Sequence, residues 1–262
     1  MTVHFSCTQC GRCCHGLRLP LSVEEAITWL RDGGAVQLFS EAIPWPEELP
    51  EDNLPAQHKR RRSFAARSGS LPVRVIVVLM ASFDGACPNL LPDMRCGIYD
   101  RRPRVCRIYP AELNPFVELE PAGKLCPPEA WQSGEVLRDE AGRWTDPDTV
   151  AAIAATREAD RIDAATKARV CERLGHAVAG LSNEGIVILS PPRERLLAAL
   201  EEAVDPGASE EESIQSWQVL SNRMATLDML RSAGTDSAVA PDADAGGLRY
   251  MGFFQGDASP ST

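Results

Sequence analysis

The chain has 262 residues, a formal net charge of −10 at pH 7, 44% hydrophobic residues and 24% charged residues, as is typical of a soluble globular protein. Its length allows one large domain or a domain with an appendage, and its longest apolar stretch, Val75 to Ala81, is too short for a membrane helix. The N-terminus has no basic region followed by an apolar core, so we expect no secretory signal peptide, a cytoplasmic location and reduced thiols.

The N-terminal part combines irregular segments with two clear predicted elements. Residues 1–20 are predicted to be loop, because the spacing of their cysteines leaves no apolar period. Ser22 and Glu25 form a capping box that predicts the start of a short helix. Residues 41–58 are rich in Pro, Glu and Asn and are predicted to be loop, whereas the β-branched residues of Pro72 to Ser82 predict a strand.

A series of turns is predicted from Cys87 to Pro110, where Gly and Pro residues punctuate the chain. One short helix is predicted around Arg102 to Cys106, with Pro103 in its first turn. This segment is therefore expected to present its side chains from loops rather than from long regular elements.

The sequence becomes mainly helical beyond Trp131. Residues 149–180 are rich in Ala, Arg and Glu and predict two helices, and residues 191–204 predict another. A short strand is predicted at residues 186–189, and a helix is predicted at residues 210–231. The Ala-, Asp-, Gly-, Ser- and Pro-rich residues from 233 onward predict a disordered tail.

Eight of the nine cysteines lie within the first 126 residues. They form a first block (Cys7, Cys10, Cys13, Cys14) and a second block (Cys87, Cys96, Cys106, Cys126). Several are followed by Gly or Pro, which suits loops that converge on one centre. The ninth, Cys171, lies in a predicted helix and is expected to be a buried free thiol.

Basic residues are concentrated between the two blocks and within the second block. Residues 59–107 contain 11 basic and 3 acidic residues, whereas residues 131–262 contain 12 and 22 and carry the net charge of the chain. We expect the arginines to offset the charge of thiolates rather than to bind nucleic acid. The run Lys59 to Arg62 is predicted to be a solvated loop. The other basic side chains near the second block are Arg95, Arg101, Arg102, Arg104 and Arg107.

Eight cysteines are compatible with more than one kind of metal centre. They could form two zinc sites of four ligands each, or one four-cysteine iron–sulfur cluster with thiols left for another metal or for catalysis. Cys13 and Cys14 are adjacent, and successive side chains diverge, so either they serve different centres or one is a spectator. His4 and His15 flank the first block as further candidate ligands, or as hydrogen-bonding or surface residues.

Two segments carry a resemblance to a known family. The first is Cys7-x2-Cys10-Gly-x-Cys13-Cys14, and the second is GACPNLLPDMRCGIYDRRPRVCRIYP, residues 85 to 110, followed by Cys126-Pro127. Together they resemble the YkgJ-like CxxCxxCC cysteine-cluster family, whose members are described as zinc- or iron-chelating domains. The resemblance covers roughly residues 5–128.

The resemblance implies a small cysteine-rich domain that holds a metal centre. Our hypothesis is that ligands from both blocks hold an iron–sulfur cluster with a structural or redox role, and a 4Fe-4S cluster is the favoured type. Zinc is the main alternative. A metal-handling or delivery protein is an alternative. The related flagellin lysine N-methylase implies a further alternative, in which this protein is an S-adenosylmethionine-dependent protein methyltransferase. However, this sequence has no glycine-rich methyltransferase loop after a strand.

The residues around the cysteines have expected supporting roles. The rings of Tyr99 and Tyr109 are expected to cover the metal loops, with their hydroxyl groups on backbone or Arg partners. Arg102, Arg104 and Arg107 are expected to donate hydrogen bonds to cysteine sulfurs, or alternatively to a bound anion.

The predicted fold class is α+β and irregular. It comprises a cysteine-rich, metal-stapled domain with little regular structure over residues 1–130, a mainly helical accessory region over residues 131–232 and a disordered tail over residues 233–262. We expect the helical region to hold a protein partner or protein substrate, and we expect no interaction with nucleic acid or membrane.

Overall fold

The computed structural model describes residues 2–205, 214–241, 243–244 and 246–257. It has mixed sheets and helices, so the predicted α+β class is confirmed. The strands of the described part are β1 (Val3–Phe5), β2 (Leu19–Leu21), β3 (Ala35–Pro44), β4 (Phe64–Ser68), β5 (Leu71–Ser82), β6 (Glu135–Arg138), β7 (Val178–Leu181), β8 (Gly185–Leu189), β9 (Gln218–Ser221), β10 (Ser237–Val239) and β11 (Leu248–Gly252). The helices are α1 (Val23–Arg31), α2 (Leu54–Arg61), α3 (Arg104–Ile108), α4 (Pro147–Leu174), α5 (Arg193–Val204) and α6 (Met224–Ser232).

A nine-stranded sheet is built around the two long strands β3 and β5, which pair in antiparallel fashion along their length. The other edge of β5 pairs with β4 and β2, and the other edge of β3 pairs with β8 and β7. Beyond these, β11 pairs with β8, while β9 and β10 continue in parallel from β7. Strands from both halves of the sequence therefore share one sheet. A separate ribbon joins β1 to β6.

The main core lies between one face of this sheet and the helices α1, α4 and α5. Alternate residues of β5 point to that face, because successive side chains of a strand lie on opposite sides. These buried residues are Val73, Val75, Val77, Leu79 and Ala81. The sheet and its helices thus form the support on which the cysteine loops lie.

Side-chain caps explain where helices α1 and α4 begin. The predicted capping box of α1 is present, since the Ser22 side chain accepts from the Glu25 N–H and Glu25 accepts from the Ser22 N–H. In α4 the Asp146 carboxylate accepts the Thr149 N–H, and the helix ends at Gly175 with φ of 65°. The residues between these caps form one helix, so the prediction of two helices there was wrong: no strong helix breaker interrupts them.

Several segments contain more regular structure than the sequence pattern predicted. The predicted loop over residues 41–58 includes the end of β3 and the start of α2, which Asn53 caps, and α2 also contains most of the run Lys59 to Arg62. Irregular chain in the N-terminal half is mainly confined to the cysteine loops, around residues 6–18 and 83–134. The long strands between them are formed by pairing partners distant in sequence.

The C-terminal part also differs in detail from its prediction. Of the predicted helix over residues 210–231, residues 210–213 lie outside the described residues; the rest contains β9 and α6, because pairing with β7 places residues 218–221 in the sheet. Residues 237–239 and 248–252, predicted to be disordered, form β10 and β11. Within the described ranges no helix is both long enough and apolar enough to span a membrane.

Candidate metal centre

One cavity of about 1040 Å³ is lined by all eight cysteines of the two blocks. The loops that carry them lie at the end of the sheet where β2 meets β5, beside α1 and the first turns of α4. Cys171 is elsewhere: it is fully buried in α4 against the main core, where burial raises the pKa of its thiol to about 12. The structure thus separates the ninth cysteine from the other eight, as expected.

The first block is shaped by a tight turn at Gly11. Its φ of 69° lies in the left-handed region, and Cys14 donates its backbone N–H to the Gly11 carbonyl at 2.9 Å. A Cβ atom at Gly11 would lie 2.5 Å from the carbonyl oxygen of Met94. Glycine is therefore needed here both for the backbone conformation and for the close approach of the loop that carries the second block.

Backbone hydrogen bonds join the two blocks directly. Cys87 donates its N–H to the carbonyl of Cys14 at 2.7 Å, and His15 forms an isolated bridge with Ala86. The next turn returns through a bridge between Leu90 and Cys96, which brings Cys96 back toward Cys87. The blocks therefore fold together, although 73 residues separate Cys14 from Cys87.

Tyr109 positions the last cysteine of the second block. Its hydroxyl accepts the backbone N–H of Leu125 at 2.8 Å and hydrogen-bonds to the Cys126 side chain, which lowers the pKa of that thiol. Burial of Cys126 has the larger effect and raises its pKa to about 11. Lys124 lies 5.5 Å from the centroid of the Tyr109 ring. The expected covering role of this tyrosine is consistent with these contacts.

The electrostatic surroundings of Cys13 and Cys126 link four of the thiols. Burial raises the pKa of Cys13, and the charges that Cys7 and Cys10 would carry raise it further. The pKa of Cys126 is raised by burial and then by Cys13, Cys10 and Cys7. We call these four residues the first thiol set: Cys7, Cys10, Cys13 and Cys126.

The other four thiols interact with one another in the same way. Burial raises the pKa of Cys14 to about 12, with further contributions from the charges of Cys13, Cys87 and Cys96. Burial also raises the pKa of Cys106 to about 12, and the same neighbours add to it. We call Cys14, Cys87, Cys96 and Cys106 the second thiol set. Cys13 interacts with both sets and hydrogen-bonds to Cys14, so the two sets are adjacent.

The donor atoms suit a soft metal, but they do not form a closed shell. Thiolate ligands select zinc and iron–sulfur clusters, and eight thiols are enough ligands for two four-cysteine centres. Among the described residues, no group of three or more His, Cys, Asp or Glu side chains is arranged to hold a metal ion. The chemistry of the cavity therefore fits such a centre, whereas the sulfur positions do not define its geometry.

Comparison with known families addresses this segment directly. Residues 6–127 match the model of the family CxxCxxCC, which is described as "Putative zinc- or iron-chelating domain". We call residues 6–127 the CxxCxxCC domain after this match. The resemblance predicted from the two cysteine blocks is thereby confirmed, and the match includes all eight cysteines. No curated protein and no solved structure matches the chain. The family supports a metal-binding role for the CxxCxxCC domain.

The arginines of the CxxCxxCC domain differ in their relation to the cavity. Arg101, Arg102, Arg104 and Arg107 line it, while Arg95 lies outside the lining and pairs with Asp93 at 3.9 Å. In the part of the chain that is described, none of these guanidinium groups hydrogen-bonds to a cysteine sulfur. Arg102 instead stacks on Tyr99, with its Cζ 3.7 Å from the ring centroid.

The two candidate histidines lie outside the cavity lining. His4 is exposed, and its Nδ1 lies 3.1 Å from the Gly134 carbonyl oxygen. His15 is exposed and forms its backbone bridge with Ala86. Their positions fit hydrogen-bonding and surface roles.

Sequence reasoning missed two walls of the cavity. One is α1, which contributes Glu24, Glu25 and Trp29, and the other is the start of α4, which contributes Asp146 and Asp148. Helix-start signals identified both segments as helices. Their proximity to the cysteines depends on how α1 and α4 pack, which no local pattern indicates.

Proposed function

We propose that the protein is a metal-binding protein whose CxxCxxCC domain holds a cysteine-ligated iron–sulfur cluster with a structural or redox role. The favoured type is a 4Fe-4S cluster. The observation that carries this proposal is that eight thiols from two distant blocks line one cavity. Eight thiolates in one cavity would repel one another unless a metal centre balanced their charge.

Eight thiols are enough for two centres of four ligands each, because four cysteines are what a 4Fe-4S cluster or a structural zinc ion requires. We propose that the two thiol sets are the two groups of ligands, which would assign Cys13 and Cys14 to different centres, since adjacent side chains diverge. Zinc in one or both sets remains the nearest rival.

A bound metal centre would supply positive charge that stabilises the thiolates, and an iron–sulfur cluster would also supply one-electron redox chemistry. The protein would contribute the ligands, the enclosing loops and the hydrogen bond from Tyr109 to the Cys126 sulfur. Hydrogen bonds to cluster sulfurs raise a reduction potential, so Tyr109 would tune a redox centre as well as cover it.

The deciding experiment is anaerobic purification followed by measurement of iron, zinc, acid-labile sulfide and visible absorption. Iron and sulfide in comparable amounts, with a brown colour, would support the cluster. Zinc without sulfide would replace it with a structural zinc domain. Absence of both metals from protein with reduced thiols would contradict metal binding.

Treatment with a mild chelator distinguishes a permanently bound metal centre from metal that a delivery protein carries and releases. A centre that holds the loops together should resist a mild chelator, and its removal should unfold the domain. Metal that exchanges readily while circular dichroism and the unfolding transition stay unchanged would instead favour the delivery role.

A further inference from the structure

The cavity lined by the eight thiols is larger than a metal centre alone would fill. At about 1040 Å³ it lies at the upper end of ligand pockets, and a metal centre would occupy only part of it. Its remaining walls are apolar and charged, with both arginines and carboxylates. The aromatic side chains among them are Phe5, Trp29, Phe83, Tyr99 and Tyr109. The space beside the thiols is therefore suited to a second, organic occupant.

Five arginines line this cavity, and two of them are already paired. Arg101 lies 3.6 Å from the Asp32 carboxylate, and Arg104 lies 3.4 Å from the Glu25 carboxylate. In the described residues the other three have no carboxylate partner. These are Arg18, Arg102 and Arg107.

Arg102 is the half-buried member of the unpaired three, whereas Arg18 and Arg107 are exposed. Its guanidinium rests on the Tyr99 ring, and its one hydrogen bond runs from Nη1 to the Tyr99 carbonyl at 3.4 Å. Its Nε is enclosed and has no hydrogen-bond partner in the described part of the chain. The described residues thus hold a partly enclosed guanidinium at the cavity wall and provide no carboxylate to pair with it.

The charges of the other walls restrict the kind of anion. Six carboxylates share the lining with the five arginines, so a polyphosphate would meet repulsion as well as attraction. A single carboxylate matches the planar guanidinium, and the aromatic walls match an apolar body. We propose that the cavity binds, beside the thiol sets, a small organic carboxylate whose carboxylate group pairs with Arg102. This inference rests on the proposed function, because it assigns a ligand to the same cavity.

The probe is benzoate, with benzyl alcohol as its neutral counterpart, observed by saturation-transfer NMR with the purified full chain. Benzoate should bind and benzyl alcohol should not compete with it. Arg102→Gln should weaken benzoate binding by about tenfold or more, because the charge-assisted pair is lost. The matched control is Arg95→Gln, which removes a basic side chain outside the cavity and should leave binding unchanged. Equal benzoate binding by wild type and Arg102→Gln, or no binding by wild type, would overturn the inference.

Metal content measured on the same samples separates this inference from the proposed function. If Arg102→Gln keeps its metal and loses benzoate, the carboxylate site is supported. If it loses metal and keeps benzoate, Arg102 serves the thiols and the inference fails. If it loses both, the variant Cys106→Ser, which is expected to have less metal, decides between them. Benzoate binding retained in Cys106→Ser despite its lower metal content supports the site at Arg102, and benzoate binding lost there overturns it. Wild type that binds benzoate but no metal would defeat the proposed function alone.

Discussion

The Glu25 carboxylate accepts the backbone N–H of Arg104 at 2.7 Å, although 79 residues separate the two. The same carboxylate accepts the Ser22 N–H at 3.0 Å and pairs with the Arg104 guanidinium at 3.4 Å. It therefore joins the start of α1 to the start of α3, two residues before Cys106. Through this contact the sheet and its helices hold part of the second thiol set.

Glu25→Ala should destabilise the protein by about 1–3 kcal/mol, since it leaves two half-buried N–H groups without their partner. It should also lower metal content, because α3 loses its connection to α1. Urea unfolding and metal analysis test this. Glu24→Ala is the control, as Glu24 lines the same cavity with an exposed side chain and should change stability by less than about 0.5 kcal/mol. Equal effects of the two variants would contradict the role of Glu25.

Gly11→Ala should disrupt the junction between the cysteine blocks. The new Cβ would meet the Met94 carbonyl oxygen at 2.5 Å, in addition to the strain of a positive φ. Gly16→Ala is a matched control, because Gly16 has a similar φ of 63° but no atom of the described residues lies within 4 Å of its Cβ position. Gly16→Ala should cost only about 1 kcal/mol and keep its metal. The junction would prove unimportant if both variants retained wild-type metal content.

Serine substitutions test the division into two thiol sets. Cys126→Ser should impair the first set and Cys106→Ser the second, so each should lose about half of the bound metal if every set holds its own centre. Cys171→Ser should leave metal content unchanged, since Cys171 is buried in α4 away from the cavity. Complete loss in both single variants would indicate one shared centre. Loss in Cys171→Ser would contradict the separation of the ninth cysteine.

His176 should make stability dependent on pH. It is buried, with Nε2 3.0 Å from Ser40 Oγ and its ring against Trp217, and burial lowers its pKa to about 4 from 6.5. The unfolded state therefore binds the proton more readily, so this contribution is complete at pH 7 and is lost as pH falls from about 6.5 to 4. The loss should reach about 3 kcal/mol.

Urea unfolding of wild type and His176→Gln between pH 7 and pH 4 isolates this contribution. The difference in unfolding free energy between the two proteins should shrink as the pH falls, because glutamine does not titrate. A difference that is independent of pH would show that His176 does not control the acid sensitivity of the fold.

Local patterns in the sequence were sufficient for the features that depend on neighbouring residues. The capping box at Ser22 and Glu25 determines where α1 begins, because its hydrogen bonds lie within one helical turn. The β-branched run around Val75 predicted most of β5, and the two cysteine blocks identified the CxxCxxCC domain. Each of these depends on residue type and spacing alone.

Only the tertiary structure decided which distant groups meet. The neighbours of Cys126 in the first thiol set, the bond from Glu25 to Arg104 and the cavity walls from α1 and α4 all join residues far apart in sequence. Residues 218–221 were predicted to be helical and instead form β9, since pairing with β7 overrides a weak local preference. By itself the sequence determined the eight candidate metal ligands. Chain packing then determined that they line one cavity and which charges surround them, because those relations depend on long-range contacts rather than on spacing.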